Sequence, residues 1–218
     1  MTKTDIQKIQ YKLGLTPDGV IGEKTTKAIL NWQESQKLKA DGIVGPISWY
    51  RMFGSTVDSF TPIGVVVHSM SEYFDWEGKV IPASELLDNL NLSVHCLIHP
   101  EGVIEYHTLP NKKALHAGKS QYKGLEDLNL FFLGIELLVE GKNSYGEFID
   151  KIDQKDCYTR EQIKAASDLL SGWSKMYYLS KDDIVRHSDI SGDDIRGKGK
   201  GKKDPGLGLD WEEFLNLI

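Results

Sequence analysis

Cysteine is nearly missing from this chain. Cys96 and Cys157 are the only two among 218 residues, too few for a disulfide framework. Both suit a reducing cytoplasm, and Cys96, between His95 and Leu97, reads as a small buried apolar residue. Long hydrophobic runs are missing too: no apolar stretch approaches the roughly 20 residues of a membrane span. The N-terminus, Met1 to Gln7, is polar and lacks a signal peptide's apolar core. Positive charge is in deficit. Lys and Arg total 26 against 32 Asp and Glu, a formal net charge of −6. That argues against general binding to nucleic acid or acidic membranes, which favour basic surfaces. What is present is a chain with 40% hydrophobic residues, enough for one ordinary domain and a small one.

The first 54 residues read as a three-helix module. Ile6, Ile9 and Leu13 share one helical face, Gly14 ends that helix, and Ala28, Ile29 and Trp32 line a second helix opened near Thr25. A third, short helix carries Trp49, Met52 and Phe53. Asp18-Gly19-Val20-Ile21-Gly22 is a turn whose glycines supply positive φ, and Asp41-Gly42-Ile43-Val44-Gly45 repeats it. Residues 55–61, rich in Ser and Thr, read as a linker.

Residues 62–218 alternate strands and helices. Strands are expected at Ile63 to Val67, Ser93 to Ile98, Val103 to Tyr106 and Leu130 to Val139. Helices are expected at Pro82 to Leu90, Thr159 to Tyr178 and Asp210 to Leu217, the second opened by a Thr159/Gln162 capping box. The fold class is α/β, a central mixed sheet flanked by helices and preceded by the small helical domain.

Two stretches carry chemistry. Ile184-Val185-Arg186-His187 ends an apolar run on an imidazole, and Asp204 follows after a Gly/Lys loop, fixed by the turn pair Pro205-Gly206. His68, at the end of Gly64-Val65-Val66-Val67, is the best third partner. Two histidines and one carboxylate make a three-ligand zinc site with an open position, the form used for hydrolysis. Glu136 sits inside Leu133-Gly134-Ile135-Glu136-Leu137-Leu138-Val139. A carboxylate in a buried strand is costly without a partner, which favours a functional role. Gly192-x-x-x-x-Gly197-Lys198 imitates a phosphate loop but lacks the following Ser/Thr and the strand-to-helix setting.

The motifs resemble two known families. Gln7, Gln10, Leu13, the two Asp-Gly turns, Thr25, Ala28, Trp32-Gln33, Pro46 and Trp49 resemble the peptidoglycan-binding type 1 domain, which docks enzymes onto bacterial cell wall. Val66-Val67-His68-Ser69, Ser93-Val94-His95-Cys96-Leu97-Ile98, His116-Ala117-Gly118, Leu133-Gly134-Ile135-Glu136-Leu137, His187-Ser188-Asp189-Ile190 and Lys202-Lys203-Asp204-Pro205-Gly206 occur in one order. Together they resemble N-acetylmuramoyl-L-alanine amidase type 2, especially its AmpD-like branch, a fold shared with phage endolysins and peptidoglycan recognition proteins.

The resemblance implies one zinc per chain on His68, His187 and Asp204. It makes Glu136 the catalytic acid/base and Lys202 the group that stabilises the transition state. His116, Ser69 and Asn129 fall on the substrate side. Leu115 stands where the family usually has Trp. The loop between His187 and Asp204 is longer than the family's, so Lys200 or Lys203 are alternatives to Lys202, and residues 193–201 read as a flexible basic lip. His95 is expected to make a structural hydrogen bond, His99 and His107 to be solvated, and Asp189 to orient a ligand.

The reaction implied is cleavage of the amide between N-acetylmuramic acid and L-alanine. Module order and the polar N-terminus suggest a monomeric phage endolysin, with peptidoglycan as partner, no nucleic acid and no stable membrane insertion. It would be made in the host cytoplasm and reach the periplasm and cell wall at lysis. A bacterial muropeptide-recycling amidase and a non-catalytic peptidoglycan-binding protein are the alternatives.

Overall fold

The structure is a computed structural model that describes residues 1–54, 60–74 and 77–218. The linker expected at 55–61 lies largely outside the described residues. Helices α1 (Lys3–Lys12), α2 (Glu23–Ser35) and α3 (Pro46–Phe53) form the N-terminal module. Thr2 and Asp5 cap α1 reciprocally, satisfying two of the N–H groups a helix start leaves open.

The two halves of the module are built alike. Gln10 donates to Asp18 Oδ1 (2.6 Å) and the Val20 carbonyl (3.0 Å), and accepts from the Gly19 N–H (2.8 Å). Gln33 does the same with Asp41 Oδ1, the Ile43 carbonyl and the Gly42 N–H (3.0, 3.0 and 2.8 Å). Each buried glutamine thus pins one Asp-Gly turn, and Gly19 and Gly42 take the positive φ (77° and 74°) that lets their N–H groups face inward. Gly22 and Gly45 are instead extended caps of α2 and α3.

The larger unit comprises β1 (Gly64–Phe74), β2 (Val80–Ile81), α4 (Ala83–Asn89), β3 (Cys96–Ile98), β4 (Ile104–Tyr106), β5 (Gln121–Tyr122), β6 (Leu125–Glu126), β7 (Phe132–Lys142), α5 (Tyr145–Ile152), α6 (Arg160–Tyr177), β8 (Ile184–Arg186), α7 (His187–Ile190), α8 (Asp193–Arg196) and α9 (Trp211–Asn216). The central sheet runs β2-β1-β7-β3-β4, with β8 also on β1. The pairs β1/β7, β1/β8 and β3/β7 are parallel, whereas β2 and β4 join antiparallel, so the sheet is mixed and flanked by helices. No helix among the described residues is long and apolar enough to cross a membrane.

Strand alternation sorts the two sheet faces. Val65, Val67, Cys96, Leu133, Ile135, Leu137 and Ile184 pack with Ala166, Leu170, Trp173 and Tyr177 of α6 and with Phe148, Ile152 and Phe214. Cys96 is wholly buried in this layer, and burial pushes its thiol up to about 12. Along the other face the strands carry three zones in succession. Val66 and Phe132 join an apolar cluster with the N-terminal module. His68 and Glu136 come next. Met70, Leu138 and Leu97 then pack with Leu87 of α4.

The module is therefore a packed layer. Ile9, Ile29, Trp49, Met52 and Phe53 form one cluster with Val66, Leu128, Phe131, Phe132 and Val185. Tyr11 Oη donates to Asp183 Oδ1 (3.0 Å), and Lys12 Nζ donates to the Tyr178 carbonyl. A Cβ at Gly54, which has φ 70°, would lie 2.1 Å from the Met176 carbonyl, so the chain leaves α3 pressed against α6. Removing residues 1–54 would uncover this apolar surface, and a catalytic fragment without the module is expected to be less stable than the full chain.

Strand and helix limits differ from expectation where polar side chains take over. β3 starts at Cys96: the His95 N–H still donates to the Gly134 carbonyl (3.0 Å), but the Gly134 N–H turns to the His95 ring (2.9 Å). β7 starts at Phe132 because Leu128–Leu130 form a short 3-10 turn. Thr159 caps α6 by accepting from the Gln162 N–H (3.0 Å). The Gln162 side chain does not complete the box. It donates to the Ile98 and Leu138 carbonyls (2.7 and 2.9 Å) and ties α6 to β3 and β7.

Lys8 lies in the module with only 4% of its surface exposed, its ammonium 5.5 Å from the Phe60 ring centroid. Burial lowers its pKa from 10.5 to about 8, partly opposed by Asp5. A depressed lysine pKa means the folded state disfavours the charged form, so this residue destabilises the fold at neutral pH and the loss is recovered as pH rises from 8 towards 10.5. Lys8→Met is expected to stabilise the chain at pH 7 by about 2 kcal/mol. In urea unfolding at pH 7 and pH 9.5, the advantage of the variant should shrink at the higher pH; an equal advantage at both would show that the charge is not the cause.

Candidate active site

β1 and β7 run parallel with His68 directly beside Glu136, so both side chains leave the same sheet face. β8 lies on the other edge of β1 and delivers His187 as the first residue of α7. The Asp204-Pro205 bond is cis. Its turn is held by the Ser188 N–H donating to the Asp204 carbonyl (3.0 Å), by Tyr158 Oη donating to the Pro205 carbonyl (2.6 Å), and by Gly206. A Cβ on Gly206 would meet the Ile152 carbonyl at 2.4 Å.

These elements bring His68, His187 and Asp204 together, with one ligand atom of each within 4.8 Å of the others. All three are buried. His187 Nδ1 lies 2.9 Å and His68 Nδ1 3.7 Å from Asp204 Oδ2. The Ser69 N–H also reaches that oxygen (3.4 Å).

The donor set fits a cation. The Ala117 carbonyl lies 3.3 Å from His187 Nε2 and can accept a proton held there. In that tautomer His187 Nδ1 presents its lone pair, beside His68 Nδ1, to the Asp204 oxygen, an arrangement that a cation among them would satisfy. Two imidazoles and one carboxylate are also the ligand types that favour zinc.

Glu136 stands beside this cluster. Its Oε2 is buried and has no hydrogen-bond partner among the described residues. Burial raises its carboxyl well above the usual range, the Asp204 charge adds to this, and the Lys202 ammonium opposes it. Burial also pushes the Asp204 carboxyl up, but the His187 and His68 rings more than reverse that and keep it an anion. Burial and the His187 ring lower His68 to about 4 despite Asp204. Two nearby carboxyls with opposite shifts are a pattern that separates a proton carrier from a fixed anion.

Among the three lysines considered, Lys202 is the one whose charge acts on Glu136 and His68. Lys203 acts on Asp193, and Lys200 is exposed. The 193–201 loop, expected as a flexible lip, carries internal structure: α8 gives it a helical turn, the Gly201 N–H donates to Asp193 Oδ1 (2.7 Å), and Arg196 donates to Ser191 Oγ (3.1 Å).

His116 and Asn129, expected on the substrate side, have partners within the fold. His116 Nδ1 lies 2.9 Å from His68 Nε2, and its Nε2 lies 3.0 Å from the Phe132 carbonyl, so both ring nitrogens have protein partners. Asn129 Oδ1 accepts from the His116 and Ala117 N–H groups (both 2.8 Å), which makes it a clamp on that loop. Ser69 is buried. Leu115 is 45% exposed beside them.

The remaining histidines also find partners. His95 makes the structural bonds expected of it, accepting from the Gly134 N–H (2.9 Å) and donating to the Lys112 carbonyl (3.0 Å). His99 and His107 are not simply solvated but pair with Glu105 (3.0 Å) and Asp88 (3.1 Å). Asp189 pairs with Arg186 at 2.8 Å, and among the described residues no bond joins it to His68, His187 or Asp204.

Sequence reasoning missed Gly134 and Tyr158. A Cβ on Gly134 would lie 2.6 Å from the His116 ring, and a glycine inside a strand was the available signal for such a close approach. Nothing in the sequence marked Tyr158.

Residues 59–207 match the family described as N-acetylmuramoyl-L-alanine amidase, and residues 1–52 match a peptidoglycan binding domain. The 1,6-anhydro-N-acetylmuramyl-L-alanine amidase AmpD of Haemophilus influenzae is 34% identical over 141 residues, which are 64% of this chain and 66% of that protein. The enzyme of the same name from Escherichia coli is 30% identical over 175 residues, 74% of this chain and 85% of that protein. A crystal structure of a selenomethionine AmpD derivative superposes with a TM-score of 0.51 at 27% identity, covering 72% of this chain and 84% of that one. The matched span contains the whole constellation of His68, Glu136, His187 and Asp204, and with it the chain belongs to the N-acetylmuramoyl-L-alanine amidase family.

Proposed function

We propose that this protein is a zinc-dependent amidase that cleaves the bond between the lactyl group of a muramic acid residue and the L-alanine of its stem peptide. The observation that carries this reading is the convergence of His68 Nδ1, His187 Nδ1 and Asp204 Oδ2 beside the proton-carrying Glu136. When bound, zinc supplies a Lewis acid for the scissile carbonyl and for the attacking water. Glu136 takes a proton from that water and hands it to the leaving nitrogen. Its raised pKa suits the donor half of this cycle, because the acid form is what the leaving amine needs. The Lys202 ammonium stabilises the negative charge that develops on the carbonyl oxygen.

The curated relatives act, by their names, on 1,6-anhydro-N-acetylmuramyl-L-alanine. They favour the muropeptide-recycling alternative over the endolysin role that module order suggested. The substrates proposed are therefore small muropeptides, taken up by a monomer, with the N-terminal module adding a contact to longer glycan. A peptidoglycan-binding protein without activity would have no use for an acid at Glu136 or for three converging lone pairs.

The test uses the full chain loaded with zinc. Equal amounts of a soluble anhydromuramyl peptide and of purified sacculi are digested and followed by mass spectrometry. Free stem peptide should be released, and faster from the soluble substrate. Release of no stem peptide from either would refute the amidase reading, and faster release from sacculi would restore the wall-lytic role.

A further inference from the structure

We infer that His116 is a positioning residue: it fixes the tautomer of His68 and so turns the lone pair of His68 Nδ1 towards the metal position. The inference rests on the proposed zinc site and assigns His116 a role away from the substrate.

The argument starts at a backbone carbonyl. Phe132 opens β7, and its oxygen lies 3.0 Å from His116 Nε2. A carbonyl oxygen only accepts, so the proton of a neutral His116 sits on Nε2. His116 Nδ1 is then an acceptor, and it faces His68 Nε2 at 2.9 Å. One proton must lie between these two nitrogens, and only His68 can supply it. His68 is thereby the Nε2–H tautomer, with its free lone pair on Nδ1, the nitrogen that faces Asp204.

The opposite tautomer of His116 would set its Nε2 lone pair against the Phe132 oxygen. It would also leave His68 free to put its proton on Nδ1, where it would occupy the metal position. His187 needs no such intermediary, because the Ala117 carbonyl reaches its Nε2 directly.

The surroundings hold the relay in place. The absent Cβ at Gly134 leaves room for the His116 ring against β7, since a methyl there would come within 2.6 Å. Asn129 Oδ1 accepts the His116 backbone N–H at 2.8 Å. The rings of His68 and His116 meet edge-on at 84°, with centroids 5.0 Å apart, which aims the Nδ1 lone pair of one at the N–H of the other. Groups that orient a metal-binding histidine through its second nitrogen change metal affinity by about 10–100-fold when removed.

The test compares wild type with His116→Phe, which keeps ring volume but loses the acceptor, and His116→Asn, whose amide oxygen can stand near the position of Nδ1. Zinc affinity of the full chain is measured by competition with a chromophoric chelator. His116→Phe is expected to bind zinc about 10–100-fold more weakly, and His116→Asn to recover most of the loss. A packing role alone would give the reverse order, since Phe fills the space better. Phe binding zinc as tightly as wild type, or Asn as weakly as Phe, would overturn the inference.

A second measurement needs no variant. Long-range 15N–1H correlation spectra of the chelator-treated wild-type chain report histidine tautomers. His116 and His68 should both carry the proton on Nε2, and a proton on Nδ1 of either refutes the relay. If the wild-type chain binds no zinc, the zinc reading fails, while the tautomer measurement still decides the role of His116.

Discussion

Glu136→Gln is expected to keep its fold and its zinc and to turn over about 10²–10⁴-fold more slowly, the usual worth of a positioned proton carrier. The amide matches the carboxyl in shape, and Glu136 is not among the converging ligand atoms. Its Oε2 has no hydrogen-bond partner among the described residues, so the substitution breaks no such bond of that atom. Burial and Asp204 raise the carboxyl's pKa well above the usual range, so burying a neutral amide there adds no charge penalty. Stability should hold or rise slightly while kcat falls. A thermal melt, a zinc assay and kcat on this one variant separate the chemical role from a structural one. Turnover within about threefold of wild type, set against those acid/base effects, would remove Glu136 from the mechanism.

His187→Ala is expected to lose zinc and, with it, activity to background. The ring is buried between the Ala117 carbonyl and Asp204, and its removal leaves two ligand atoms where a hydrolytic zinc site uses three. It also strips the Asp204 carboxylate of its nearest partner, at 2.9 Å. The apo chain should lose stability as well, since an unpaired buried anion is costly. Elemental analysis of protein purified without a histidine tag reads the metal directly. Zinc content equal to wild type would show that the ion, if present, sits elsewhere.

Strand patterning and motif order made much of this molecule legible before its structure. Val65, Val66 and Val67 mark β1, and the side-chain period of 2 puts His68 on one face with Val66. The helical repeats of α2 and α6 follow from apolar spacing. The residue types of His68, His187 and Asp204 already pointed to a three-ligand metal site, because ligand chemistry belongs to the side chain and not to its neighbours. Cost alone singled out Glu136, a carboxylate in an apolar strand.

What the sequence left open is what depends on partners distant in the chain. The parallel register of β1 with β7 seats His68 beside Glu136, and no local pattern encodes a register between strands so far apart. Three lysines near Asp204 are equivalent as letters, and only the fold shows that the charge of Lys202 acts on Glu136 and His68. Helical periodicity shows which face of the N-terminal module is apolar but not what covers it. Phe132, Leu128 and Val185 cover it, so a tethered anchor becomes a packed layer. The resemblance put His116 on the substrate side, and a sequence does not show where its two ring nitrogens point. Both are claimed within the fold, one by the Phe132 carbonyl and one by His68. Hydrogen-bond direction is decided by three-dimensional neighbours, and only tertiary structure supplies them.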